Sequence, residues 1–157
     1  MNISISKIRK KTVSVNQYME SLKEPFREKF LRRKQTYKLK KEAINQLKKY
    51  SDKYVVVAFS AVWYKDCIKN IPVLALISEA TGLEVRIFGG LKMDVLNPKR
   101  KWRIPPSPPE VETFDVDKIP LMIIIDRKGK EIGRIIENLR HMPTLEQELH
   151  EITKSQQ

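Results

Sequence analysis

The chain has 157 residues, of which 41% are hydrophobic and 32% charged, and it carries a net charge of +12 at pH 7. This length fits one domain, or one domain with an extension, and the apolar share is sufficient for a hydrophobic core. No apolar run reaches the roughly 18 residues that a membrane-spanning helix needs. Residues 1–11 are too polar and too basic for the apolar region of a signal peptide. We therefore expect a cytoplasmic protein without membrane contacts.

Cysteine and histidine are scarce. Cys67 is the only cysteine in the sequence, which excludes a disulfide within the chain and any zinc site built from several cysteines. His141 and His150 are the only histidines, and isolated histidines are usually surface or core residues. We expect no metal and no cofactor.

The positive charge is concentrated at the N-terminus. Residues 1–50 hold 15 Lys and Arg against 4 Asp and Glu, a net of +11, whereas residues 51–157 hold 16 and 15. A basic segment followed by a nearly neutral one suggests an acidic partner for the first segment.

Residues 1–52 have the pattern of a basic helical extension. Ser14 is placed to cap a helix that starts at Val15, and Pro25 suits the first turn of a second helix. Apolar residues recur at helical spacing again over residues 37–50, which predicts a third helix. The pattern leaves open whether these helices pack on the rest of the chain or on a second copy in a homodimer.

Residues 53–157 predict a separate α/β domain. Short runs of β-branched and other apolar residues indicate strands, and stretches with helical spacing lie between and after them. The predicted elements are a strand at 54–59, a helix at 66–81 ended by Gly82, strands at 83–88, 121–125 and 130–136, and a final helix capped by Thr144. This order suits a mixed sheet with helices on both faces.

A long loop separates the second and third of these strands. It runs from about residue 89 to residue 119 and contains five prolines, with Trp102 set among lysines and arginines. Loops of this length in a compact domain are usually functional or disordered. Because residues 97–117 of this loop lead into Pro120, we expect them to lie near that residue and to cover part of the groove there.

Residues 57–72 resemble the active-site segment of the thioredoxin family. In that family a buried strand ends in Phe-x-Ala-x-Trp, Cys-x-x-Cys follows at the start of a helix, and a proline lies five residues after the second cysteine. Phe59, Ala61, Trp63, Cys67 and Pro72 fall at the matching positions.

Two further features agree with this resemblance. Asp66 matches a subgroup that carries Trp-Cys-x-Asp-Cys, and Ile119-Pro120 before a strand resembles the cis-proline segment of the family. The resemblance implies a thioredoxin-like fold over about residues 53–155. It also implies a groove that binds extended peptides, formed here by Trp63, Tyr64, Lys65, Asp66, Ile119 and Pro120.

The sequence departs from the family at two positions that matter for chemistry. The nucleophilic first cysteine falls at Tyr64, and the buried carboxylate of the family falls at Ala58. Dithiol exchange needs one thiolate to attack a disulfide and a second thiol to resolve the mixed disulfide. The resemblance therefore leaves Cys67 as a vestigial resolving cysteine, and we expect no dithiol oxidoreductase activity.

Three functions are compatible with the sequence. The one we favour is a binding or scaffold module, not an enzyme, that contacts a protein partner or an extended peptide through the groove. The second is a monothiol redox protein acting through Cys67. A helix start favours its thiolate, Asp66 opposes it, and free cysteines are usually buried.

The third function is association with nucleic acid. Basic residues interleaved with an aromatic residue are typical of phosphate contacts combined with base stacking. The candidate contacts are Arg32, Arg33, Lys34, Lys40, Lys41, Lys101, Trp102 and Arg103. The competing interpretation is a set of solvated helix faces, and no helix-turn-helix, RRM or KH motif is visible.

Overall fold

The structure of the protein is a computed structural model. It describes residues 3–92, 96, 102, 107–139 and 141–156. The helices in these residues are α1 (Ile5–Lys11), α2 (Val15–Ser21), α3 (Phe26–Thr36), α4 (Lys41–Lys48), α5 (Lys65–Thr81), α6 (Glu110–Thr113) and α7 (Leu145–Lys154). The strands are β1 (Val13–Ser14), β2 (Tyr54–Phe59), β3 (Glu84–Phe88), β4 (Leu121–Asp126) and β5 (Glu131–Ile136).

The described strands form one mixed sheet of five strands in the order β1-β3-β2-β4-β5. β2 runs parallel to β3 and antiparallel to β4, so that Phe59 pairs with both Phe88 and Leu121. This register brings the end of β2, from which the chain enters α5, beside the start of β4, which Pro120 precedes. The topology therefore places residues 60–67 close to Ile119 and Pro120.

The central strand has the sequence of a fully covered strand. All six residues of β2 are buried, which fits its run of valines flanked by aromatic residues. Helix α5 then ends at Gly82, whose φ of +78° is the left-handed conformation that glycine adopts without strain. The predicted thioredoxin-like architecture, with a mixed sheet flanked by helices and a helical N-terminus, is confirmed.

The N-terminal helices pack on the same chain. Helix α3 lies against α5, α4 lies against α5 and α7, and β1 extends the sheet beside β3. Phe30 and Leu47 belong to the same hydrophobic core as the valines of β2. Residues on both sides of the predicted boundary at 52/53 thus share one core.

Polar contacts join the N-terminal segment to the sheet and to the last helix. The Arg86 guanidinium donates hydrogen bonds to Thr12 Oγ1 at 2.9 Å and to the Thr12 carbonyl at 2.8 Å. The buried Glu146 accepts one hydrogen bond from the Tyr37 hydroxyl and one from the Lys40 backbone N–H, both at 2.7 Å. These bonds satisfy polar groups that burial would otherwise leave without partners.

The structure differs from the predicted elements in four places. It contains α1, β1 and α6, which the sequence pattern did not predict. The helix expected over residues 37–50 begins only at Lys41, because Tyr37 has an extended backbone at the end of α3. None of the described helices is long and apolar enough to cross a membrane.

Candidate functional site

The site lies at the turn from β2 into α5. Tyr64 is the residue before the helix, and its carbonyl accepts hydrogen bonds from the N–H groups of Cys67 at 3.0 Å and Ile68 at 3.1 Å. Ile119 and Pro120 face this turn through the sheet register, and both are buried. The peptide bond between them is cis.

Tyr64 bridges the helix start and the end of β5. Its hydroxyl donates a hydrogen bond to Glu137 Oε2 at 3.3 Å, and the Glu137 N–H donates one to the Pro120 carbonyl at 2.8 Å. Partial burial and, next, the charge of Glu137 raise the pKa of the Tyr64 phenol above its usual value. The side chain is therefore held as a neutral hydrogen-bond donor.

An aromatic cluster covers this turn. The Trp102 ring lies 5.9 Å from the Trp63 ring and 6.2 Å from the Tyr64 ring, measured between centroids. Trp102 is 1% exposed and its indole N–H donates to the Asp117 carbonyl at 2.5 Å, whereas Trp63 is 45% exposed. The expectation that the long loop reaches this surface is confirmed at Trp102.

The structure does not place Trp102 on an exposed basic surface. Because its side chain is buried, neither face of the ring is free for stacking on a base. Lys101 and Arg103, its predicted partners in nucleic-acid contact, lie outside the described residues.

Cys67 is buried below the turn. It is 0% exposed, and burial raises the pKa of its thiol to about 11. The Ala61 backbone and the Ser60 side chain lower this pKa, but burial has the larger effect. Ser60 Oγ also lies 3.1 Å from the Tyr18 hydroxyl, whose pKa burial raises to about 12. Tyr18 of α2 thus bonds a residue that lies close to the thiol.

Lys65 and Asp66 occupy the first turn of α5. The Lys65 side chain is exposed and Asp66 is half-buried. The Asp66 carbonyl accepts a hydrogen bond from the Asn70 side chain at 2.9 Å. Lys65 and Asp66 thus follow Tyr64 directly at the start of the helix.

The predicted nucleic-acid contacts on α3 have partners within the chain. Arg32 pairs with Glu28 at 2.8 Å, Lys34 pairs with Glu79, and Arg33 Nε donates to the Lys69 carbonyl at 3.0 Å. Lys40 and Lys41 are exposed at the start of α4. The three cations of α3 therefore already have partners within the chain.

Three residues of the site were not predicted. The sequence analysis assigned no role to Tyr18 or Glu137, and Ser60 was one variable position within the motif. Glu137 is one of two described non-glycine residues with positive φ, at +64°. Such a conformation leaves no reliable trace in a single sequence.

A comparison with known protein families shows to which family the chain belongs. The model of a family described as Thioredoxin matches residues 12–100, which is more than half of the sequence. The chain belongs to this thioredoxin family. The match starts at Thr12, before β1, and so includes much of the N-terminal segment that the motif resemblance had left unexplained.

Solved structures agree with the thioredoxin fold. The chain is similar to a protein of unknown function from Pseudomonas aeruginosa, with a TM-score of 0.74, 14% identity and 99% of each chain covered. It is also similar to an HIV epitope-scaffold, with a TM-score of 0.65, 15% identity, and coverage of 87% of this chain and 78% of the other. At these identities the similarity shows the fold. No curated protein sequence matches the chain.

Proposed function

We propose that this thioredoxin-family protein is a binding module without dithiol oxidoreductase activity. The observation that carries the proposal is the pair of residues at the start of α5. Tyr64 stands where the resemblance puts the family's nucleophilic cysteine, and its hydroxyl bonds Glu137. Cys67, the only thiol of the chain, is fully buried beneath it.

The chemistry of disulfide exchange supports this proposal. Exchange requires a thiolate that can reach the substrate disulfide. With a thiol pKa of about 11, roughly one molecule in ten thousand carries the thiolate at pH 7. A phenol with a raised pKa cannot substitute for it, because the phenol stays protonated and forms no disulfide.

The surface around Trp63 supports binding. Trp63 is one of the few large apolar side chains of the described residues that are exposed. Its ring packs against the rings of Tyr64 and Trp102. Tryptophans on rigid supports are frequent anchors of protein interfaces. We infer that the partner is a protein that places an extended segment against Trp63 and the Ile119-Pro120 turn.

Insulin reduction tests the absence of redox activity. The wild-type protein should show no turnover above a Cys67→Ser variant when dithiothreitol is the reductant, while an active dithiol thioredoxin serves as the positive control. A Tyr64→Cys variant supplies the second thiol and tests whether the rest of the scaffold is competent. Cys67-dependent turnover by the wild-type protein would contradict the proposal.

The two alternatives have less support. A mixed disulfide at Cys67 would require opening of the core, since no part of the thiol is accessible. Nucleic-acid binding depends on cations of which Arg32 and Lys34 already pair with carboxylates. Both alternatives remain hypotheses, and the tests are cysteine-dependent turnover for the first and salt-dependent affinity for the second.

A further inference from the structure

A cavity outside the groove is lined by both apolar and charged side chains. It lies between α3 and α5, is open to solvent at the protein surface, and has a volume of about 480 Å³. Pro25 and Ile68 contribute apolar lining, and Glu28, Lys29, Arg32 and Arg33 contribute charged side chains. Sites for small ligands usually measure about 300–1,000 Å³ and combine apolar walls with a few oriented polar groups.

The cavity carries unbalanced positive charge. Three of its side chains are cationic and one is a carboxylate, Glu28, which pairs with Arg32 at 2.8 Å. No described residue forms an ion pair with Lys29 or Arg33. An anion entering the cavity would therefore meet two cations whose charge nothing described neutralises.

Arg33 is held in position before any ligand arrives. Its Nε donates to the Lys69 carbonyl at 3.0 Å, and its guanidinium carbon lies 4.8 Å from the centre of the Tyr37 ring. No other described residue accepts a hydrogen bond from this guanidinium, which leaves its terminal NH₂ groups as donors. A fixed guanidinium binds a carboxylate, sulfonate or phosphate with less loss of side-chain entropy than a mobile lysine.

We propose that this cavity binds a small organic anion, with its acidic group at Arg33 and Lys29 and its apolar body against Ile68 and Pro25. The acidic group accepts charge-assisted hydrogen bonds, which are stronger than those between neutral groups. The apolar body gains from removal of the Ile68 side chain from water. None of the residues that line this cavity belongs to the groove around Trp63.

Anilinonaphthalene sulfonate is a suitable probe, because it joins a sulfonate to an aromatic body and fluoresces when bound. The wild-type protein at physiological ionic strength should bind one equivalent in a saturable manner. Arg33→Gln should weaken binding about tenfold and Lys29→Gln about threefold. Lys29 is exposed and unpaired among the described residues, so its variant should fold even if the Arg33 variant does not.

Two matched variants control for charge and for location. Lys48→Gln removes the same charge from the exposed end of α4, and Trp63→Ser alters the groove, and each should change the affinity less than twofold. The proposal is overturned if the wild-type protein shows no saturable binding, or if Lys48→Gln weakens binding as much as Lys29→Gln. Loss of binding in Trp63→Ser would place the dye in the groove and would also overturn it.

Discussion

Tyr18 connects the N-terminal segment to the redox motif. Its hydroxyl lies 3.1 Å from Ser60 Oγ, and the Ser60 side chain lowers the pKa of the nearby Cys67 thiol. Its ring lies over Gly89, where a Cβ atom would come within 3.0 Å of Tyr18 Cε1. Because Tyr18 and Ser60 are both buried, the hydrogen bond between them satisfies hydroxyl groups that water cannot reach.

Removal of the Tyr18 hydroxyl should destabilise the fold. Tyr18→Phe removes one buried hydrogen bond at almost constant volume, so we expect the free energy of unfolding to fall by about 1–2 kcal/mol. Urea denaturation followed by circular dichroism measures this change. Tyr50→Phe is the matched control, since the Tyr50 hydroxyl bonds no described residue, and equal effects of the two variants would refute this role for Tyr18.

At the scale of elements, α4 and α7 are joined by a buried carboxylate. Glu146 is 0% exposed and accepts hydrogen bonds from the Tyr37 hydroxyl and the Lys40 N–H, each at 2.7 Å. Burial and the bond to Glu146 raise the pKa of Tyr37, so this phenol keeps its proton well above neutral pH. One carboxylate thus fixes the segment between α3 and α4 against the last helix.

Glu146→Ala should be among the more destabilising single substitutions on α7. It leaves the Tyr37 hydroxyl and the Lys40 N–H without a partner and opens a cavity, so we expect a loss of about 3 kcal/mol. Glu151→Ala, an exposed position on the same helix, should change stability by less than about 0.5 kcal/mol. A loss below about 1 kcal/mol for Glu146→Ala in thermal or urea denaturation would show that the carboxylate is dispensable.

Short-range sequence patterns were sufficient to predict some secondary-structure elements and not others. The Ser14 cap was predictable because Ser14 Oγ accepts from Gln17, and the Gln17 side chain accepts from the Ser14 N–H, within one turn of chain. Strand β1 was not predictable, because its two residues form a strand only through pairing with β3. Such long-range pairing leaves no period in the sequence.

The same distinction applies to the site. Cys67 was found through a motif with fixed spacing, and Pro120 through an Ile-Pro pair before a strand. In the structure Cys67 lies in the first turn of α5, and Pro120 lies directly before β4. The burial of Trp102 was not predicted, because its neighbours in sequence are basic while its neighbours in space are Trp63 and Tyr64. Glu137 was missed because it reaches Tyr64 from 73 residues away.

On the scale of the whole molecule, some of the basic side chains in the N-terminal segment form ion pairs with carboxylates of the same chain. Arg9 bonds Glu84 at 2.6 Å and Lys11 bonds Glu110 at 2.6 Å. Exposed pairs of this kind each contribute little, typically below about 1 kcal/mol. The shared hydrophobic core, not the charge, therefore holds the N-terminal segment in place.

A shorter chain tests this dependence. Residues 53–157 alone would expose the core surfaces that Phe30 and Leu47 cover and would lose the β1 edge of the sheet. We expect this fragment to aggregate or to unfold without a cooperative transition, as measured by size-exclusion chromatography and thermal circular dichroism. A monomeric fragment that unfolds cooperatively would instead support two independent units divided at 52/53.

The central claim, that Cys67 is not a redox thiol, is tested most directly by its reaction with a chromogenic aromatic disulfide at pH 8. With a pKa of about 11 in the fold and about 8.5 when unfolded, and with no access to solvent, Cys67 should react at least about a hundredfold more slowly in the native protein than in guanidinium. A variant with Cys67→Ser and Tyr64→Cys moves the thiol to the accessible position and should react rapidly when folded. Equal rates for wild-type Cys67 in the native and the unfolded protein would contradict the account.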